Sequence, residues 1–203
     1  MLRGFLAFLA LTAAAHAGPK PFWQAKDKVY ERVKSGEIIV AVTSASPEAP
    51  LKNRLTINGG GWVRAPRDFV FEYAQDFDKL ARLSGFIEKS AYDKDGGNIR
   101  LTVSALGYKA ELKAKVASVR DADPKRIEFE VVEGVVKGMR NQILFVNPES
   151  PGKTEVAIQG EYRYDTFPIP KAFLEFGMEV VFQKMAARLR QQVETAYRGV
   201  EKK

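Results

Sequence analysis

The sequence contains no cysteine and only one histidine, His16. His16 lies within residues 1–17, where a basic residue, an apolar run and a small-residue end predict a secretory signal peptide cleaved after Ala17. The mature chain would then have no histidine and no cysteine. This excludes disulfides, a cysteine nucleophile, a Ser-His-Asp triad and zinc sites built on these residues. We therefore expect no metal and no resident cofactor.

Long apolar runs are also missing from the sequence. Outside the predicted signal peptide, no stretch approaches the ~20 apolar residues that a membrane-spanning helix needs. No cysteine follows the predicted cleavage position, which excludes a lipoprotein anchor. The sequence therefore predicts a protein that is exported and soluble, either periplasmic or secreted.

Positive charge is in excess, with 32 Lys and Arg against 25 Asp and Glu, a net charge of +7 that cleavage would lower to +6. A basic surface attracts anionic lipid headgroups, nucleic acid or acidic partners. Export argues against nucleic acid, and no basic run is interleaved with the aromatic residues on which bases stack. We expect no nucleic-acid partner. A peripheral contact with an anionic membrane stays open beside the simpler interpretation, a solvated basic surface.

Residues 18–36 are predicted to form an N-terminal extension with a short amphipathic helix. Phe22, Val29, Tyr30 and Val33 fall on one side of this helix. Such a stripe usually packs on the rest of its domain. The alternative is a helix on a membrane surface, with Trp23 as its interfacial residue.

The remainder of the chain, residues 37–203, is predicted to form one α+β domain built on antiparallel strands. Tyr108 to Val116 alternates between apolar and polar residues, which indicates a strand with one solvated face. Glycines at 59–61 predict a bulge or a sharp bend in the second strand. The predicted strands are Glu37–Thr43, Arg54–Val63, Asn98–Ala105, Tyr108–Val116, Arg126–Glu133, Met139–Val146 and Thr154–Tyr164.

Two short helices and one long helix complete the predicted domain. The short ones, Asp68–Gln75 and Asp78–Leu83, follow the second strand. The long one, Lys171–Gly199, has apolar residues in steps of three or four and is apolar over more than one stripe in its first half. No helix separates the later strands, so the sheet is antiparallel. We expect a curved sheet wrapped around the C-terminal helix.

Three segments carry a resemblance to a known superfamily. They are residues 63–71 with Asp76–Leu80, the turn Glu133–Gly138, and Pro168–Ile169–Pro170 before the long helix. The chain resembles the START-like (SRPBCC, helix-grip) superfamily, in particular its polyketide cyclase/dehydrase and lipid-transport branch. The resemblance implies a helix-grip fold with a cavity between the sheet and the C-terminal helix that holds a hydrophobic small molecule or lipid.

A binder of this kind needs an apolar lining with few polar anchors. Aromatic and methionine side chains suit a cavity that adapts to a flexible ligand. For any one residue, ordinary core packing is the alternative interpretation. The predicted ligand-binding residues are Leu101, Val103, Tyr108, Leu112, Phe129, Met139, Asn141, Ile143, Tyr162, Phe173, Phe176, Met178, Val181 and Phe182.

Two other functions stay open from the sequence. A polyketide cyclase/aromatase-like enzyme would need acid or base groups other than histidine. The candidates for that role are Tyr92, Tyr162, Tyr164, Arg140 and Glu133, with Asn141 polarising a carbonyl group. The third function is an envelope interaction protein with a filled core and a coherent exposed patch. We favour an exported carrier of a hydrophobic small molecule or lipid, without catalysis.

Overall fold

The computed structural model describes residues 19–46, 52–83, 85–105, 107–147, 152–166 and 171–201. Within these ranges, the side chains of residues 82, 83, 105, 108, 171–173 and 201 are not described. The predicted signal peptide and the segment Pro168–Ile169–Pro170 lie outside the described residues. No helix in the described part of the chain is long and apolar enough to span a membrane.

The described strands form one eight-stranded antiparallel sheet in the order β1-β2-β8-β7-β6-β5-β4-β3. Strands consecutive in the chain are neighbours in the sheet except β2 and β3, because β2 pairs with the last strand, β8, and β3 lies at the far edge. The strands are β1 Ile39–Ala45, β2 Asn53–Val63, β3 Ile87–Asp93, β4 Asn98–Ala105, β5 Tyr108–Val119, β6 Lys125–Glu133, β7 Arg140–Val146 and β8 Thr154–Tyr164. The predicted sheet wrapped around a long helix is confirmed.

The structure departs from the strand predictions in two places. The strand β3 was not predicted, because Ile87–Asp93 at the edge of the sheet exposes most of its polar side chains and has no clear apolar alternation. Of the two alternatives predicted for the glycines of β2, a bulge or a sharp bend, the bulge is absent, since β2 pairs with β1 and β8 without a register shift. Gly60 has φ +139, and a Cβ there would lie 2.8 Å from Cη2 of Trp23. The glycine therefore provides room for an indole ring.

In the described ranges, four α-helices accompany the sheet. The helices are α1 Asp27–Lys34, α2 Arg67–Ala74, α3 Leu80–Leu83 and α4 Lys171–Glu201. A single 3₁₀ turn, Phe77–Lys79, separates α2 from α3. The core between α4 and the sheet contains Leu55, Ile57, Val70 and Val193, all with at most 1% of their surface exposed.

Helix α4 covers the exposed edge of β1. Glu179 Oε1 accepts a hydrogen bond from Val42 N at 2.9 Å, and Glu175 Oε1 accepts one from Ser44 N at 2.7 Å. Further along the helix, Gln183 Nε2 donates to Ile38 O at 3.1 Å and Arg190 Nη1 donates to Gly36 O at 2.7 Å. Unpaired strand edges invite pairing with other chains. The two glutamates satisfy edge groups of β1 as a neighbouring strand would, and the other two contacts hold the residues just before β1.

The N-terminal extension packs on the face of the sheet opposite α4. Trp23 and Val33 are fully buried and pack with Leu144 and Ala157. A 3₁₀ turn at Phe22–Ala25 precedes α1, so the predicted helix is broken at Lys26. In this structure Trp23 is packed inside the domain, and the extension lies on the sheet.

Buried polar contacts also fix this extension. Glu155 is 1% exposed and lies beneath it. Tyr30 Oη donates to Glu155 Oε1 at 3.2 Å, and Gln24 Nε2 donates to Glu155 Oε2 at 3.4 Å. A buried carboxylate needs hydrogen-bond donors, and the extension supplies two.

Candidate functional site

Cross-strand register places the predicted strand residues on one face of the sheet. Leu101 lies opposite Leu112, Phe129 opposite Asn141, and Leu55 opposite Tyr162. Directly opposed residues in antiparallel strands point to the same side. Since Leu55 belongs to the core under α4, this side is the inner face. The sequence-predicted residues Leu101, Val103, Leu112, Phe129, Asn141, Ile143 and Tyr162 all lie on it. Tyr108 occupies an inner-face position of β5 by the same alternation, but its side chain is not described.

Helix α4 contributes the opposite wall. Met178 and Phe182 are partly buried and pack on the core together with Leu174, and Val181 is also partly buried. The prediction for Phe176 is wrong, because its side chain is 66% exposed. Phe176 follows Leu174 by two residues, which is about 200° around a helix. The side chain of Phe173 is not described.

The apolar side chains between the sheet and the helices are not all buried to the same extent. Phe71, Phe145, Ile99 and Ile127 are fully buried, and Phe77 meets the ring of Phe129 at 5.9 Å. Other apolar side chains on the inner face and on α4 are only partly buried. These are Leu101, Val103, Leu112, Ile143, Met178, Val181 and Phe182, which we call the partly buried set.

The position of α4 explains this difference. The helix packs mainly on β1 and β2, with smaller contacts to α2 and α3. The strand members of the partly buried set belong to β4, β5 and β7, which lie further along the sheet. Met139, also predicted from the sequence, is 6% exposed and packs in the core. It belongs to the packed part of the inner face.

A few polar groups interrupt the inner face. Asn141 Oδ1 is buried, and no described residue supplies it with a hydrogen bond. It lies over Gly160, where any side chain would overlap it. Tyr162 Oη donates to Val135 O at 3.2 Å, and its ring stacks on Tyr164 at 5.5 Å. Burial raises the pKa of Tyr162 above its ordinary value of 10.0.

The family model described as polyketide cyclase/dehydrase and lipid transport matches residues 63–190, which is more than half of the chain. The protein belongs to this family. The match runs from the last residue of β2 into α4, so it includes most of the inner face. No curated protein sequence matches the chain.

Solved structures of this family's fold are similar to the chain at low identity. A START superfamily protein from Mycobacterium smegmatis is 18% identical, with a TM-score of 0.58 over 70% of this chain and 98% of that one. A protein from Thermus thermophilus is 20% identical, with a TM-score of 0.60 over 70% and 98%. The Zhui aromatase/cyclase from Streptomyces sp. R1128 is 14% identical, with a TM-score of 0.56 over 70% and 94%. At these identities the likeness establishes the fold.

In this member of the polyketide cyclase/dehydrase and lipid transport family, the residues considered for catalysis do not converge. Arg140 is exposed on the outer face and pairs with Glu130, with Nη2 and Oε1 3.0 Å apart. Glu133 is exposed and pairs with Lys113 at 3.3 Å. Tyr92 does face inward, where its ring meets Phe77 at 4.8 Å.

Tyr162 is poorly suited to act as a general base. Its hydroxyl already donates to Val135 O, and burial raises its pKa above the ordinary value. Within the described residues no group of His, Cys, Asp or Glu side chains could hold a metal ion. The geometry favours binding of an apolar molecule with a few polar contacts.

Sequence reasoning missed several residues of this site. Leu174 and Val116 belong to the apolar patterns noted in the sequence and pack on the core, yet other residues of the same patterns were chosen. Tyr164 was considered only for catalysis, although its spacing of two from Tyr162 puts both rings on one face. Periodicity alone could have selected all three.

Proposed function

We propose that the protein is an exported carrier of a hydrophobic small molecule or lipid, bound between α4 and the inner face of the sheet without catalysis. The observation that carries the proposal is the partly buried set. Each Å² of apolar side chain left accessible to water forfeits about 25 cal/mol of stabilisation. An apolar ligand lying against this set would recover that burial.

Export rests on residues 1–17, whose basic start, apolar run and small-residue end have the pattern of a cleavable signal peptide. A protein that carries water-insoluble molecules across an aqueous compartment must shield them. The family's fold supports this role because it encloses a helix within a curved sheet.

The decisive variant is Leu112→Trp. Leu112 is partly buried and lies directly opposite Leu101 on the neighbouring strand. If the space beside it is open, the indole fills it. Uptake of a fluorescent fatty acid, cis-parinaric acid, should then fall at least about tenfold with little loss of stability. The matched control is Phe176→Asp, at an exposed position, which should leave uptake unchanged.

The opposite result identifies a filled core. In that case the wild-type protein takes up no probe, and Leu112→Trp costs about 1–3 kcal/mol through overpacking. This would overturn the carrier function and favour the envelope interaction protein. Native mass spectrometry of the mature protein from its own cells, followed by organic extraction, would identify any apolar molecule that copurifies.

A further inference from the structure

The outer face of the sheet, opposite α4, contains a groove of about 780 Å³. The groove crosses the central strands β2, β8, β7, β6 and β5 rather than following one strand. Its volume lies within the range of about 300–1,000 Å³ that small-molecule sites occupy. It is separated from the proposed apolar site by the sheet itself.

Two rows of polar side chains form the walls. The first row runs through Thr56, Glu161, Arg140, Glu130 and Lys115, each directly opposite the next in the register of neighbouring strands. Residues opposed in this way share a face. One wall position therefore occurs on every strand, about 4.8 Å from the next.

The second row lies two residues away on each strand. It runs through Asn58, Gln159, Gln142, Glu128 and Ala117. Two residues along a strand span about 6.6 Å, and five strands span about 19 Å. Between the rows lie Gly160, Asn141, Phe129 and Val116, whose side chains belong to the inner face. The floor is therefore backbone, and the groove is long and narrow.

Four of the five charged wall residues, Glu161, Arg140, Glu130 and Glu128, are paired within the protein, and Lys115 is the exception among the described residues. Arg140 pairs with Glu130 at 3.0 Å, and Glu128 pairs with Arg126 at 2.6 Å. Glu161 pairs with Arg163 at 2.6 Å. A strongly anionic or cationic ligand would have to compete with these pairs. The groove therefore favours an uncharged ligand.

The second wall is rich in carboxamides. Gln142 Nε2 donates to Gln159 Oε1 at 3.2 Å, and Gln159 Nε2 donates to Lys20 O in the N-terminal extension at 2.9 Å. Each carboxamide has both donors and acceptors. Together with Thr56 and Asn58 they match a ligand that presents many hydroxyl groups. Ala117 is the only apolar side chain in the two walls.

A peptide is a poor fit for the same place. The strands under the groove are all interior strands of the sheet, so their backbone groups are already paired on both sides. Addition of an extended peptide as a further strand needs a free edge. A ligand lying across the strands must instead bind through side chains.

We propose that this outer groove is a second binding site, which takes a neutral, linear oligosaccharide. The sugar hydroxyls hydrogen-bond to Gln142, Gln159 and Asn58 on one wall and to the paired carboxylates on the other. The site is independent of the proposed carrier function, because no residue of the partly buried set contributes to it.

The test is a titration of the isotopically labelled protein, followed by NMR, with four neutral tetrasaccharides: maltotetraose, cellotetraose, mannotetraose and tetra-N-acetylchitotetraose. Binding of at least one should shift the side-chain NH₂ signals of Gln142, Gln159 and Asn58. The double variant Gln142→Leu/Gln159→Leu should weaken that binding at least about tenfold. The control Glu111→Gln, on the outer face beyond the groove, should bind like the wild type.

Three results would overturn the proposal. The first is that no tetrasaccharide shifts the three amide signals. The second is that the double variant binds as well as the wild type. The third is that tetralysine or tetraglutamate shifts these signals while the sugars do not. The wild-type titration needs no variant, and the amide spectrum of each variant reports whether it is folded.

Discussion

The carboxylate of Glu179 stabilises the fold by closing the edge of β1, and its removal should have a measurable cost. Its Oε1 accepts the hydrogen bond of Val42 N at 2.9 Å, and Val42 is 4% exposed. A hydrogen bond to a charged group contributes about 1.5–3 kcal/mol, and the change to alanine leaves a buried N–H without its partner. We expect Glu179→Ala to lower the unfolding free energy by about 2 kcal/mol.

The assay is urea denaturation together with thermal unfolding, both followed by circular dichroism. For a domain of this size, about 2 kcal/mol corresponds to a fall in Tm of about 4–8 °C. The m-value should stay the same, because the extent of the folded surface does not change. The matched control is Glu179→Gln, which keeps an acceptor oxygen at the same position and should lose less than half as much.

Two results would refute this reasoning. If Glu179→Ala is as stable as the wild type within about 0.5 kcal/mol, the contact to β1 contributes nothing beyond a surface interaction. If Glu179→Gln loses as much as Glu179→Ala, the charge rather than the hydrogen bond is responsible. In the first case the edge of β1 would be protected by contacts other than that of Glu179.

Three further predictions concern other parts of the fold. Trp23→Ala removes a fully buried indole, which should cost about 3–5 kcal/mol of the free energy that packs the N-terminal extension on the sheet. Limited proteolysis should then cut residues 19–36 rapidly, and a protease-resistant extension would contradict this. Gly60→Ala should fail to give soluble folded protein, because the new Cβ overlaps the backbone of β8. The control Gly199→Ala has open space around the new Cβ and should be neutral or stabilising by up to about 1 kcal/mol. The raised pKa of Tyr162 means that its hydroxyl contributes stability below pH 10.0, which is lost as pH rises through the folded-state pKa. Tyr162→Phe should therefore show a smaller loss of unfolding free energy at alkaline pH than the wild type, and equal alkaline losses would show that another group titrates.

The features predicted correctly from the sequence are those with strong local patterns. The alternation of Tyr108–Val116 identified a strand and its inner face, and the stripe in the N-terminal extension identified a helix that packs on the domain. Both patterns arise because a single buried face imposes its period on the sequence. The edge strand β3 has no such face and was missed.

Other features depend on contacts between distant residues. Phe176 was misplaced because the first half of α4 is apolar on several sides. The sequence pattern therefore did not distinguish the side of the helix that faces the core. The outer groove was not predicted, because each polar residue in it also suits an ordinary solvated strand face. Only the register of five strands aligns these residues, and register is set by tertiary pairing.

The pairing of β2 with β8 has a consequence for how the protein can be divided. The family match begins at residue 63, at the end of β2. A chain shortened to that match would lose β1 and β2, together with the N-terminal extension. Strand β8 would then become a bare edge along its whole length. Such an edge accepts a strand from another molecule, so the shortened protein should form strand-exchanged dimers or aggregates. The smallest independent unit of this fold therefore begins before the region that sequence similarity defines.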